Sequence, residues 1–139
     1  MKHPLSALFL LTLAACHSSQ QPVTPLPGWR ADEKSIAGVY EGTLPCVDCD
    51  GIRTRLNLMP GYRYDVQETY LGKSTLVFND HGRWVFNRSN AHVDLLSNHR
   101  SYVLHFHGVS PEELRMLDRE SSEITGAQMN LSLKRVHQG

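Results

Sequence analysis

Alternation of apolar and polar residues with a period of two constrains this chain more than any other feature. Ile52, Thr54, Leu56 and Leu58 fall in one phase, with Arg53, Arg55 and Asn57 in the other. Tyr62, Tyr64 and Val66 alternate with Arg63, Asp65 and Gln67. Tyr102, Leu104 and Phe106 alternate with Val103, His105 and His107, and Met129, Leu131 and Leu133 with Asn130, Ser132 and Lys134. Successive strand side chains point to opposite faces, so each run predicts a strand with one buried face. Gly38–Leu44 is a candidate first strand, and Trp84-Val85-Phe86 and Val93-Asp94-Leu95 read as further ones. Turn signals stand between the runs: Pro60-Gly61, Asn79-Asp80-His81-Gly82, Asn98-His99 and Gly126. Strand follows strand at short spacing with little helical periodicity, so the predicted fold is all-β, an antiparallel meander. A sheet of this length must hide its edges, and closing into a small barrel does so. One local exception is Ser110-Pro111-Glu112-Glu113, where a capping serine, a proline and a glutamate predict a single helical turn.

The N-terminus has a different character. Lys2 precedes an apolar stretch at residues 5–13, interrupted only by Ser6 and Thr12, and Leu13-Ala14-Ala15-Cys16 follows. The stretch is shorter than the roughly 20 apolar residues a spanning helix needs, and it has the length of a signal-peptide core. The four residues ending at Cys16 resemble the lipobox of bacterial lipoproteins, in which cleavage precedes a lipidated cysteine. An ordinary secretory signal with an incidental Cys16 is the alternative. The lipobox reading predicts a signal peptide at residues 1–15, a lipidated tether at 16–35 and a barrel domain at 36–139. Several acyl chains on Cys16 would hold the protein at a membrane, since each buried CH₂ contributes about 0.8 kcal/mol. His17 stands where an aspartate retains Gram-negative lipoproteins at the inner membrane, so the resemblance implies sorting to the outer membrane, facing the periplasm. Pro22, Pro25 and Pro27, with Ser18, Ser19, Gln20 and Gln21, suit an extended, solvated tether.

Charge excludes one class of partner. Fourteen basic and fourteen acidic residues balance, and the arginines are scattered rather than arranged in a basic stripe. No field draws nucleic acid to such a surface. No enzyme class finds its residues either: there is no Gly-x-Ser-x-Gly elbow and no glycine-rich phosphate loop. The neighbouring carboxylates Glu112 and Glu113 diverge and read as capping charge.

The three cysteines divide into Cys16 and the pair Cys46 and Cys49. In an oxidising periplasm an even remainder suits a disulfide. The pair lies in Pro45-Cys46-Val47-Asp48-Cys49-Asp50-Gly51-Ile52, between two predicted strands. Haem attachment needs a histidine after the second cysteine, and Asp50 is there. Thioredoxin-type exchange normally sets the pair at a helix N-terminus, whereas here a strand follows and Asp48 and Asp50 raise the thiol pKa. Three readings stay open: a structural or redox-labile disulfide, a soft-metal site such as Cu(I) held by thiolates, and a reactive or sensing pair. The ring is small, so a disulfide here contributes about 2 kcal/mol at best.

The same octapeptide, preceded by Tyr40-Glu41-Gly42-Thr43-Leu44, resembles the N-terminal domain of the NlpE (CutF) family of envelope lipoproteins. Tyr70-Leu71-Gly72, Gly82-Arg83-Trp84, Leu117-Asp118-Arg119-Glu120 before Ile124, and Asn130-Leu131-Ser132-Leu133 recur in order. The resemblance covers about residues 38–135. It implies a small barrel related to the lipocalin shape and an outer-membrane lipoprotein. It also implies a role in copper homeostasis or in envelope stress sensing through the Cpx response, with an envelope signalling protein as partner. Cys46 and Cys49 match the family's motif cysteines. Longer members add a C-terminal domain with a second cysteine pair, so the chain is expected to correspond to the N-terminal domain.

Other candidates are blander. His105 and His107 share one side of a strand roughly 7 Å apart, a possible metal pair, but the opposite phase belongs to the core and the histidines read as surface groups. His81, His92 and His99 fall near turns. Met116 and Met129 read as core filler, and Met59 beside Pro60 as the most exposed methionine. An alternative function is a lipocalin-like module holding a small apolar ligand among Tyr62, Tyr64, Trp84, Tyr102 and Phe106.

Overall fold

A computed structural model describes residues 32–126 and 129–137. Cys16, and with it the predicted signal peptide, most of the tether and the anchor, lies outside the described residues. Eight strands follow a short helix: α1 (Glu33–Ile36), β1 (Gly38–Leu44), β2 (Gly51–Met59), β3 (Arg63–Leu71), β4 (Phe78–Asn87), β5 (His92–Ser97), β6 (Leu104–Ser110), β7 (Glu113–Met116) and β8 (Ser132–Arg135). Each strand pairs antiparallel with its sequence neighbour. β8 returns to β1 through Tyr40↔Arg135 and Glu41↔Lys134, closing the barrel. The expected all-β meander and its closure are therefore observed. An eight-stranded barrel is just wide enough for side chains to fill or for one small ligand, as in lipocalins.

The period-two pattern became the inside and outside of the wall. Leu56, Leu58, Tyr64, Val66, Trp84, Val93, Leu95, Phe106, Leu114 and Leu133 form the buried core. Arg53 and Arg63 face out. At one end the barrel is sealed. Asp32 caps α1 with a capping box to Ser35, and Ile36 inserts fully buried. Arg135 then binds four groups at once. Its Nε donates to Pro111 O at 2.6 Å, Nη1 to Ala37 O at 2.8 Å, and Nη2 to Ser35 O at 2.6 Å and the Tyr40 hydroxyl at 2.7 Å. Its guanidinium lies 4.9 Å from the Tyr40 ring centroid. Burial pushes the Tyr40 hydroxyl up to about 12, with Arg135 working against the shift. Trp84 Nε1 donates to Met59 O at 3.0 Å near the β2–β3 turn.

Several local expectations are corrected. Glu33, Lys34 and Ser35, read as the end of an extended tether, form the helical turn that seals the barrel. Asn79-Asp80-His81-Gly82 is not a turn but part of β4. Asp80 points inward to charged and hydroxyl partners, and Gly82 leaves room for a neighbouring strand: a Cβ there would stand 2.1 Å from Leu96 O. Ser110-Pro111-Glu112-Glu113 makes a two-residue hairpin with Ser110 opposite Glu113, not a helical turn. Ser110 Oγ accepts from Glu112 N at 3.1 Å. Glu113 is then a strand residue that accepts from Ser132 Oγ at 2.5 Å and pairs with Lys134. Tyr62 lies in the β2–β3 turn at φ +61°, exposed and packed at a tilt against Trp84 with ring centroids 5.1 Å apart, rather than continuing the inner face. Met129 is 59% exposed, not core filler, and Met59 is half-buried at the end of β2.

Candidate functional site

The β1–β2 connection stands at the end of the barrel opposite α1, with the β3–β4, β5–β6 and β7–β8 connections. Leu44↔Ile52 is the last pair of the β1–β2 ladder, and residues 45–50 project beyond it. Gly51 starts β2 at φ +150°, where a Cβ would stand 2.6 Å from Thr43 Cγ2, so the projecting loop needs glycine at that point. Asp50 N donates to Leu71 O at 3.0 Å, tying the loop to the end of β3. Lys73 pairs with Asp48, and its hydrogen bond holds the Asp48 carboxyl below the ordinary carboxylate range. Val47 at the tip is fully exposed.

Cys46 and Cys49 are joined by a disulfide within this loop, Sγ–Sγ 2.06 Å and Cα–Cα 5.3 Å. Their sulfurs and an Asp48 carboxylate oxygen lie within 4.8 Å of one another, the one cluster of at least three metal-ligating residues among those described. The donor set fits a soft cation only after two-electron reduction of the disulfide, because the thiolate is the ligand. No described histidine joins this cluster. His105 and His107 instead have carboxylate partners on the barrel wall. Their Nδ1 atoms lie 2.7 Å from Asp94 Oδ1 and 2.8 Å from Glu123 Oε1. His92 stands across from His107, ring centroids 5.8 Å apart. Burial, then the neighbouring His107, lowers the His92 pKa.

Beneath the cysteine loop the barrel opens into a cavity of about 450 Å³. Cys46, Val47 and Asp48 form part of its wall. The core residues Leu56, Val66, Leu95 and Phe106 line it, and Leu44, Ile52, Leu104, Met116, Leu117 and Ile124 complete the apolar surface. Tyr102 and Arg119 also line it, the guanidinium 5.4 Å from the ring centroid. Of the aromatics named as ligand-lining candidates, the cavity uses Tyr102 and Phe106. Trp84 belongs to the packed core, and Tyr62 is outside.

One wall of the cavity is polar, and this the sequence reading missed. Glu68 on β3 and Arg100 from the β5–β6 connection form it, and buried Asp80 on β4 stands behind them on the other side of Arg100. Arg100 Nη2 pairs with Glu68 Oε2, and Arg100 Nε lies 3.2 Å from Asp80 Oδ2. Asp80 also accepts from the Tyr64 hydroxyl at 3.1 Å and Ser97 Oγ at 2.7 Å. Burial works to raise the Asp80 carboxyl, but these hydrogen bonds and Arg100 outweigh it and leave the pKa below its ordinary value. Burial, then the Asp80 charge, raises the Tyr64 hydroxyl. The available signal was phase: Glu68 continues the inward series of Tyr64 and Val66.

The comparisons match this architecture. A family model of the NlpE N-terminal domain covers residues 40–127, more than half of the chain. Lipoprotein NlpE of Escherichia coli strain K12 is 29% identical over 132 residues, spanning 94% of this chain and 54% of that protein. The chain thus spans about half the length of the curated relative it matches. Among solved structures, a putative lipoprotein from Shewanella oneidensis aligns with a TM-score of 0.64 at 30% identity, over 76% of this chain and 94% of that one. The Cpx pathway activator NlpE from Escherichia coli aligns with a TM-score of 0.54 at 27% identity, over 74% of this chain and 53% of that one. A closed eight-stranded barrel with a cysteine loop between β1 and β2, matched by sequence across most of its strands, makes this chain a member of the NlpE N-terminal domain family.

Proposed function

We propose that the protein is an outer-membrane lipoprotein, anchored through Cys16 and facing the periplasm, that contributes to envelope stress sensing through the Cpx pathway. Its responsive element is the Cys46–Cys49 pair. The observation that carries this reading is the placement of the pair on an exposed loop at the barrel mouth, away from the packed core. Reduction there changes the loop without dismantling the fold, because the ring is small and the strands that carry it are laddered independently. In the reduced state the two thiolates and Asp48 offer a soft donor set to Cu(I), which links the same element to copper homeostasis.

The test is a Cpx-responsive reporter in cells lacking their own NlpE, supplied with the wild-type chain or with Cys46→Ser/Cys49→Ser. The reading expects reporter output to respond to copper or reductant with the wild type and to lose that response with the double variant. Equal responses from both would sink it. Incorporation of labelled palmitate, abolished by Cys16→Ala, tests the anchor separately.

A second reading, a lipocalin-like module that holds a small apolar ligand, is favoured by the cavity itself. Its volume of about 450 Å³ lies in the range of about 300–1,000 Å³ typical of small-molecule sites. Saturable binding of a neutral apolar fluorophore, abolished when the core is unfolded, is the expected result. Binding that never saturates would count against it.

A further inference from the structure

Glu68, which lines the cavity, and Asp80, which stands behind that lining, share a single guanidinium, so this buried cluster carries one excess formal negative charge. The two carboxylates are not equally served. Asp80 accepts from Tyr64 and Ser97 in addition to its contact with Arg100. Glu68 receives Arg100 at Oε2, while Oε1 accepts no hydrogen bond among the described residues. The one fully enclosed side-chain polar atom without a partner among those residues is Arg115 Nε, so Glu68 Oε1 has open space beside it. Glu68 lines the cavity with its side chain only 7% exposed. A carboxylate oxygen that is reachable from the cavity and takes no donor from the protein is an acceptor available to a ligand.

The other charged or titratable groups of the lining are already used or stand at the rim, His105 among them with its Nδ1 2.7 Å from Asp94 Oδ1. Asp48 is paired with Lys73. Asp118 accepts from the backbone N–H groups of Glu120 at 2.9 Å and Ser122 at 2.8 Å. Arg119 is exposed and stacks over Tyr102. The unbalanced charge therefore belongs to the Glu68 wall, beside the apolar surface of Leu56, Val66, Leu104 and Phe106.

We propose that this cavity binds a hydrophobic primary amine, with its ammonium on Glu68 Oε1 and its apolar body along Leu56, Val66, Leu104 and Phe106. The proposal rests on the ligand-binding reading of the cavity and names the class of ligand. An ammonium brings three donors and the charge the wall lacks. A carboxylate on the same apolar body meets an uncompensated negative charge instead. A neutral alcohol can donate a hydrogen bond but leaves the charge unbalanced.

Competition against bound N-phenyl-1-naphthylamine on the purified full chain tests this, with the signal from a urea-unfolded sample subtracted. n-Decylamine, n-decanol and decanoate share one apolar body and differ only at the head. The expected result is displacement by the amine at about a tenfold or greater lower concentration than the alcohol, with decanoate weakest. Glu68→Gln keeps a group that can accept from Arg100 and removes the excess charge, so it should erase the amine's advantage over the alcohol. Equal potency of amine and alcohol on the wild type overturns the amine assignment, whether or not the variant folds. An advantage that survives Glu68→Gln in a folded variant overturns the role of Glu68. If neither the fluorophore nor any of the three compounds binds, the ligand reading of the cavity falls with it.

Discussion

Replacing Arg100 with methionine removes the charge that holds Glu68 and Asp80 together while keeping an unbranched side chain to fill the space. Arg100 is 18% exposed at its side chain, Glu68 7% and Asp80 6%, so the cluster is largely withdrawn from water. Removing one partner of a buried ion pair typically costs about 3–5 kcal/mol, because the charge left behind is uncompensated. Here two carboxylates are stranded, but Asp80 keeps the Tyr64 and Ser97 hydroxyls and Arg100 is not fully buried, which sets the expectation at about 3 kcal/mol. The pH dependence carries the sharper signature. In the wild type the Asp80 pKa is lowered on folding, so its contribution is present above the unfolded carboxyl pKa and is lost as pH falls through the folded one. In the variant, burial acts on Asp80 without the guanidinium and its folded pKa moves up. The penalty of the stranded Asp80 charge is full above that folded value and shrinks as pH falls. Urea unfolding, followed by far-ultraviolet circular dichroism near pH 7 and near pH 5, reads both quantities. The difference between wild type and variant should be about 3 kcal/mol near neutrality and clearly smaller in mild acid. A loss below about 1 kcal/mol, the scale of an exposed pair, would refute the reasoning, as would a loss that does not change with pH.

Three further outcomes are expected. Arg135→Met should cost about 3 kcal/mol in urea unfolding, because it strips donors from three carbonyl groups and the Tyr40 hydroxyl at the sealed end; Arg135→Lys should recover little, lacking the planar fork. Gly82→Ala forces a Cβ to within 2.1 Å of Leu96 O, and a loss of about 1–3 kcal/mol with chemical-shift changes centred on β4 and β5 is expected; an unchanged melting curve would contradict the close approach. Cys46→Ser/Cys49→Ser should lower stability by no more than about 2 kcal/mol and leave the far-ultraviolet spectrum intact, whereas global unfolding would show that the loop is needed to hold the barrel together.

How much of this was legible depended on whether the deciding partner lay nearby in sequence. The first strand, Gly38–Leu44, needed only its own pattern and is observed with those bounds. Ile52, Leu56 and Leu58 announced β2 in the same way. Asn79-Asp80-His81-Gly82 has the composition of a turn, and what makes it a strand is remote: Arg100 and Ser97 for Asp80, and the Leu96 carbonyl for Gly82. No local reading contains those contacts. Tyr62 kept the correct parity, but Gly61 and Tyr62 both adopt positive φ and take the chain out of the strand. Ser110-Pro111-Glu112-Glu113 carries residues that serve both a helix start and a tight hairpin, and the pairing of Ser110 with Glu113 decided between them. At the site, the cysteine loop was visible because its residues are adjacent. The polar wall was not, since Glu68, Asp80 and Arg100 come from three separate segments.

Closure between β1 and β8 has a geometric consequence. In an up-and-down barrel with an even number of strands, the first strand begins and the last strand finishes on the same rim. Here Gly38 follows α1 on that rim, and Val136 N donates to Val39 O at 2.8 Å beside it. The described chain therefore enters at Asp32 and leaves at His137 on one side. The cysteine loop and the cavity mouth occupy the other, roughly 20 Å away along tilted strands. Parity alone separates entry and exit from the mouth: an even strand count puts both ends of the described chain on one rim, and an odd count would bring one of them up beside the cysteine loop.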